Sequence, residues 1–188
     1  MNQNLISILK MRKASRAIAS EVLDDEIIET LMNATQLSAS CFNNQPWRFI
    51  FLTDKNLLEK ARKALTPGNN WAAKAPLLVI GCSNKEFDCQ TKDGRNYYLF
   101  DLGMATQLLM LQATEIDLIA RPMAGYSPST LREELDIPEQ LEIYVLVAIG
   151  YEGDLNELSD KLKQRSLAPR TRNPLSQNFF LNSIPEKK

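Results

Sequence analysis

The sequence predicts an α+β fold, a single domain in which a sheet is flanked by helices. Three observations carry this. Short apolar runs bounded by turn residues recur after Trp47 (RFIFLT), from Pro76 to Cys82 (PLLVIGC) and from Leu141 to Ile149 (LEIYVLVAI), the pattern of buried strands. Between them lie stretches with helical spacing of apolar residues. One of these, Tyr97 to Glu115, is apolar around most of its circumference, which demands a central position or a partner chain. With 188 residues, 44% of them hydrophobic, the chain is long enough for one domain with a real core.

Taken in order, Asn2 to Lys10 reads as a short helix with Leu5, Ile6, Ile8 and Leu9 on its apolar side. A second helix runs from Asp24 with Ile27, Ile28, Leu31, Met32 and Leu37 in a stripe, Asp24 as its N-cap and acids in its first turn. The RFIFLT strand follows, then a helix from Lys55 to Leu65 started by Asp54 and stopped before Pro67-Gly68. After the second strand the chain turns polar from Ser83 to Arg95, and the long apolar helix comes next. Leu118 to Arg121 leads into a turn at Pro122–Tyr126. Ser127 caps a helix that Pro128 starts and that ends at Leu135, ahead of a central strand ending at Gly150. Beyond Gly153 the chain is polar until Phe179 and Phe180, which suggest a tail packed on another chain.

The totals exclude several function classes. Net charge is −1 and the basic residues are spread, unlike the footprint of a nucleic-acid binder. Histidine is absent, which removes His-based triads, His-metal sites and imidazole acid–base chemistry. Three cysteines, an odd number without C-x-x-C spacing, argue against a disulfide framework or a zinc site and for unpaired thiols. No stretch offers the ~18 uncharged residues of a membrane span, and the amino terminus lacks a secretory pattern, so a cytoplasmic location is the default expectation. Any difficult chemistry then belongs to a bound cofactor, with the protein supplying position and charge.

Two stretches carry candidate binding groups. Ser38 to Trp47 (SASCFNNQPW) offers donors and acceptors at Ser40, Asn43, Asn44 and Gln45, and flat apolar faces at Phe42 and Trp47, a set suited to a planar heterocycle. Read alone it fits an ordinary Ser/Asn turn equally well. Arg12-Lys13-Ala14-Ser15-Arg16 is a cation cluster that fits either a phosphate site or a solvated helix end.

The run S-x-x-N-x-Q-P-W at Ser40, Asn43, Gln45, Pro46 and Trp47 resembles the signature of the nitroreductase family of flavin enzymes. The likeness extends to Arg12, Lys13 and Arg16, to Pro122-Met123-Ala124-Gly125-Tyr126, and to Arg170 and Arg172 in an R-x-R-x-P run. What it implies is a mainly antiparallel sheet flanked by helices, an intertwined homodimer built around the long apolar helix, and FMN at the dimer interface with contacts from both subunits. The absence of a G-x-G-x-x-G fingerprint agrees with FMN over FAD. By the same resemblance Arg12, Arg170 and Arg172 hold the flavin phosphate, and Lys13 and the Ala14 backbone join them. Ala14 stands where relatives usually have serine, so that side-chain bond is missing. Arg16 lies beside the flavin N1 edge and stabilises the reduced form, while Ser40, Asn43 and Gln45 grip the ring. Pro122, Met123, Ala124 and Gly125 run beneath it, with the Ala124 N–H toward N5 and Gly125 allowing close approach or positive φ. Asn70 and Lys74 are further residues the resemblance points to, without spacing that fixes the match.

The implied reaction is a ping-pong cycle in which NADH or NADPH gives hydride to flavin N5 and a small-molecule acceptor such as a nitroaromatic or quinone is then reduced, with Phe42 and Cys41 shaping access. No protein nucleophile is needed. The alternatives are a specialised enzyme of the same fold (a dehalogenase, ring oxidase or flavin-fragmenting enzyme) and a non-catalytic FMN-binding protein.

Overall fold

A computed structural model of the chain describes residues 4–184. Its elements, in chain order, are α1 (Ser7–Met11), α2 (Asp25–Gln36), β1 (Trp47–Leu52), α3 (Lys55–Arg62), β2 (Leu77–Ser83), α4 (Tyr97–Glu115), β3 (Leu118–Met123), α5 (Pro128–Leu135), β4 (Glu142–Tyr151), α6 (Asp160–Leu167) and α7 (Leu175–Asn178). A short 3-10 helix, Pro67–Lys74, links α3 to β2. The four strands form one sheet of order β1-β2-β4-β3 with every neighbouring pair antiparallel. This is the predicted mainly antiparallel sheet.

Helices cover both faces, because strand side chains alternate between them. On one face Leu77, Val79, Val147 and Ile149 meet Leu31 of α2 and Leu109 of α4. On the other Leu78, Ile80, Leu146 and Ala148 meet Leu58 of α3, Trp71 and Leu131 of α5. With both faces packed, β2 is buried along its whole length, which is why PLLVIGC reads as a continuous apolar run without alternation.

Caps account for several boundaries. Asp54 accepts from the N–H groups of Asn56 and Leu57 at the start of α3, and Ser127 Oγ accepts from Thr130 N–H at the start of α5. Asp24 occupies the N-cap position of α2 but makes no side-chain bond there. The first helix is shorter than its apolar spacing predicts: Leu5 and Ile6 precede it, and Asn2 lies outside the described residues. Pro122 and Met123 belong to β3, not to a turn. Proline is tolerated there because β3 is an edge strand and pairs on one side only.

Helix α4 divides the molecule's surface. Tyr98, Leu102, Ala105, Leu109 and Ala113 are buried against the sheet and α2, while Leu99 and Phe100 are exposed and Met104, Leu108 and Leu111 are only partly covered. Phe100, Met104, Leu108 and Leu111 follow helical spacing, so α4 carries a second apolar stripe that this chain leaves open. The carboxyl-terminal stretch is likewise exposed, with Phe179, Phe180 and Leu181 on the surface. No helix among the described residues is long and apolar enough to cross a membrane.

Candidate functional site

Residues 12–16 leave α1 and run along the end of the sheet. Ile18 makes an antiparallel bridge to Glu152, flanked by bonds from Ala19 N–H to the Tyr151 carbonyl and from Gly153 N–H to the Ala17 carbonyl. This extends the β4–β3 corner and fixes Arg12–Arg16 beside β3. Ser15 is buried and its Oγ accepts from the Ala17 N–H at 3.2 Å, a local turn that turns this hydroxyl inward. Arg121, in the middle of β3, donates from its guanidinium to the Ala14 carbonyl and lies 5.4 Å from the Trp71 ring.

The result is a cavity of about 560 Å³ whose walls include Arg12, Lys13, Arg16, Arg121, Arg165 and Arg172. Lys13 pairs with Glu152; the five arginines make no ion pair among the described residues. Their proximity shows in their titration. Burial and the Arg16 and Arg12 charges push Arg121 down to about 10. Burial together with Arg170 and Arg172 lowers Arg12, and burial together with Arg165 lowers Arg16. On these walls the cations far outnumber the one acid, Glu152, so the concavity favours an anion. Guanidinium forks match the oxygens of a phosphate, so the donor set fits the phosphate end of the expected FMN.

Arg170 reaches the same cavity but is committed to the main chain. Its Nη1 donates to the Leu9 and Arg12 carbonyls and its Nη2 to the Lys10 carbonyl, satisfying the carboxyl end of α1. It therefore clamps the Arg12 segment in place. Arg172 donates to the Thr171 carbonyl and also lines the cavity.

The turn after β3 is built differently from expectation. Gly125 has no positive φ. A side chain there would collide with Asn69 Nδ2 at 2.6 Å and Thr66 Oγ1 at 2.8 Å, and both of those groups donate to the Gly125 carbonyl. Glycine is required by the protein's own packing. Pro122, Met123, Ala124 and Gly125 do not line the cation cavity, to which β3 contributes Arg121 alone. Asn70 and Lys74 line a neighbouring hollow of about 280 Å³ that shares Arg16, and Lys74 is engaged there with Glu157 at 2.7 Å.

Ser40, Asn43 and Gln45 lie elsewhere. Ser40 Oγ accepts from the Gln45 N–H at 3.0 Å, and Gln45 Nε2 donates to the Asn43 carbonyl at 3.2 Å. Phe42, Asn43 and Gln45 all have positive φ, a conformation costly for Phe and Gln. Phe42 is 88% exposed. Trp47 offers no free face, because it is buried against Leu102 and Ala105 of α4. Cys41 N–H donates to Asp101 Oδ2 of α4, and the other Asp101 oxygen is buried without a partner. Burial and the neighbouring Asp88 push Asp101 upward against that bond.

The register places the two sets of residues at opposite corners. Trp47 is level with Ser83 and Glu142, whereas Arg16 precedes the Ile18–Glu152 bridge at the far end of β4. At ~3.3 Å per residue the offset is roughly 30 Å along the strands, plus three strand spacings of ~4.8 Å across the sheet. Within one chain Gln45 and Arg16 are therefore held far apart.

The cysteines correct the sequence expectation. Cys41 and Cys89 form a disulfide across 48 residues, and only Cys82, buried in β2, is free. No local spacing announces a pair joined by tertiary folding. Arg121 and Arg165 were likewise not among the expected site residues; one lay in the lead-in to an expected turn, which proves to be β3, the other in a polar stretch that proves to be α6. Among the described residues no cluster of His, Cys, Asp and Glu could hold a metal ion.

Comparison with known proteins agrees with this architecture. The nitroreductase family pattern matches residues 9–77 and 65–151. A protein of Archaeoglobus fulgidus named as an NADH dehydrogenase/NAD(P)H nitroreductase is 28% identical over 167 residues, covering 85% of this chain and 93% of its own. A crystal structure described as an oxidoreductase containing FMN superposes with a TM-score of 0.87 at 28% identity, covering 100% of this chain and 96% of the other. A nitroreductase family protein of Clostridium difficile gives a TM-score of 0.79 at 25% identity, covering 97% and 100%. An iodotyrosine deiodinase of Haliscomenobacter hydrossis is 24% identical over 169 residues, covering 74% of this chain and 75% of its own. With its sheet, its long central helix and its family pattern in agreement, the chain belongs to the nitroreductase family of enzymes.

Proposed function

We propose that the chain is a homodimeric FMN-dependent oxidoreductase that takes hydride from NADH or NADPH and reduces a nitroaromatic, quinone or similar small acceptor, in a cytoplasmic setting. The observation that carries this reading is the arginine-rich cavity beside β3, on whose wall the acidic Glu152 is paired with Lys13. FMN, when bound, supplies hydride acceptance and delivery at its N5. The rest is the work of the chain. Arg12 and Arg172 bind the phosphate, Arg170 holds the Arg12 segment against α1, and Lys13, paired with Glu152, borders the site. Arg16, which lines both hollows, would neutralise negative charge on the N1 edge of a reduced flavin. The Pro122–Gly125 backbone would support the ring, and the Ala124 N–H would be its hydrogen-bond donor. Ser40, Asn43 and Gln45 of a second copy close the site, since those of the same chain are too far away.

The open stripe on α4 supports the dimer. A second reading, reductive dehalogenation, draws on the similarity to the Haliscomenobacter deiodinase. The test is an absorption spectrum of the purified protein followed by anaerobic addition of NADH and then NADPH. A released FMN chromophore that bleaches on addition agrees with the reading. Bound FMN that neither nucleotide bleaches leaves a carrier, and a protein that takes up no FMN contradicts the assignment.

A further inference from the structure

The Cys41–Cys89 bond joins the loop that carries Asn43 and Gln45 to the polar segment ahead of α4. Both ends are anchored on that helix. Asp88 accepts from Cys89 N–H at 2.7 Å with one oxygen and from Tyr97 N–H, the first residue of α4, at 2.8 Å with the other. Cys41 N–H reaches Asp101 Oδ2, one helical turn further along. In each anchor an Asp carboxylate accepts from a main-chain N–H, so no sulfur takes part in these bonds and opening the disulfide leaves their donors and acceptors in place.

Beyond each anchor the backbone is strained. Phe42, Asn43 and Gln45 follow Cys41 with φ of 49°, 57° and 49°, and Gln90 follows Cys89 with φ of 51°. Such conformations persist only where the surroundings enforce them. Here the surroundings are sparse: Phe42, Asn43 and Gln90 are exposed, and the Asn44 amide meets the Phe87 carbonyl at a long 3.5 Å. The covalent link adds a constraint to the loop's own bonds, from Asn43 N–H to the Ser40 carbonyl, Asn44 N–H to the Cys41 carbonyl and Gln45 N–H to Ser40 Oγ. Both cysteines are partly exposed, so a thiolate can reach the bond, the condition under which disulfides are labile and regulatory.

We propose that Cys41 and Cys89 form a reversible redox modification site, opened by low-molecular-weight dithiols, whose closed state holds residues 42–45 in their cofactor-gripping conformation and whose open state relaxes residues 42–45 and 90–95. In the opening step a reagent thiolate attacks one cysteine sulfur, the Cys41–Cys89 bond breaks, and the other sulfur leaves and takes a proton. The second reagent thiol then displaces the mixed disulfide and leaves as a cyclic disulfide. Two electrons and two protons pass to the protein, yielding two Cys thiols and one oxidised reagent. Reclosure is the reverse reaction, with the donors and acceptors of the two aspartate anchors still in place.

The effect on FMN rests on the proposed function; the effect on residues 90–95 does not. The experiment therefore reads both on the full chain, oxidised and after dithiothreitol. Thiol titration in denaturant is expected to find one thiol, Cys82, in the oxidised protein and all three after reduction. Trypsin cleavage after Lys92 or Arg95 should speed up about tenfold on reduction, and the FMN Kd should rise by a similar factor. Both changes should reverse when the reductant is replaced by an oxidised dithiol. Cys89→Ser should cleave at the fast rate with or without reductant. Three free thiols in the oxidised protein, or a cleavage rate indifferent to reduction, would overturn the proposal whatever the flavin content. Redox-dependent cleavage in a protein that binds no FMN in either state would support the modification site and count against the flavin reading alone.

Discussion

The two sets of residues that point to a cofactor occupy opposite corners of one sheet, and they are held by opposite means. At the β3–β4 corner, Arg12 and Arg16 sit in a segment secured by strand pairing, by Arg121 on the Ala14 carbonyl and by Arg170 on three carbonyls of α1. Its cost is electrostatic, because the guanidiniums repel one another until an anion arrives. At the β1 corner, Asn43 and Gln45 sit in an exposed turn whose cost is conformational, held by a disulfide and by hydrogen bonds among residues 40–45. One half is a cavity with a cationic wall. The other has hydrogen-bonding groups and no cavity wall comparable to the first. Neither is a site alone, and the open face of α4 is the surface through which a second copy could bring one corner to the other.

The comparison breaks most completely at α4. Phe100→Glu, which places a charge on the open stripe, should yield a monomer with native secondary structure and FMN affinity reduced more than about 100-fold, since both halves are then separated. Sedimentation and flavin titration check it. Next in size is the cation half. Arg12→Ala should weaken FMN by roughly 10- to 100-fold, the equivalent of ~1.5–3 kcal/mol for charge-assisted hydrogen bonds, with the dimer intact. Arg172→Ala should act in the same direction, and unchanged flavin occupancy in that variant would remove Arg172 from the site. Smallest is the loop half: Gln45→Ala removes neutral hydrogen bonds of ~1 kcal/mol and should cost about fivefold in FMN affinity.

The same contrast shows what was readable from the chain. Local signals held for some elements and not for others: Asp24 makes no capping bond, the first helix starts late at Ser7, and α3 ends at Arg62 and not at Leu65. The Tyr97–Glu115 helix, the Asp54 and Ser127 caps and the three apolar strands appear where periodicity and capping residues place them. The edge strand β3 was not read as a strand, because Pro122 resembles a turn residue until an edge strand accommodates it. Helix α6 was hidden by its polarity; it has no buried residue to generate a stripe. The Arg12–Arg16 cluster was visible as contiguous charge. Arg121 and Arg165 join it only through the fold, and no spacing along the chain could have announced them. The Cys41–Cys89 pair failed for the same reason, compounded by an odd cysteine count that pointed the other way.

The central claim is that each flavin site takes its cation half from one protomer and its gripping loop from the other. It is tested most directly by a mixed dimer, assembled from an Arg12→Ala chain and an Asn43→Ala/Gln45→Ala chain carrying different affinity tags. If the halves come from different protomers, the mixed dimer contains one site with both defects and one with neither, and FMN titration will show one wild-type-affinity site per dimer that both parental homodimers lack. If each site is built within a single chain, every site in the mixed dimer keeps a defect, no wild-type-affinity site appears, and the account is contradicted.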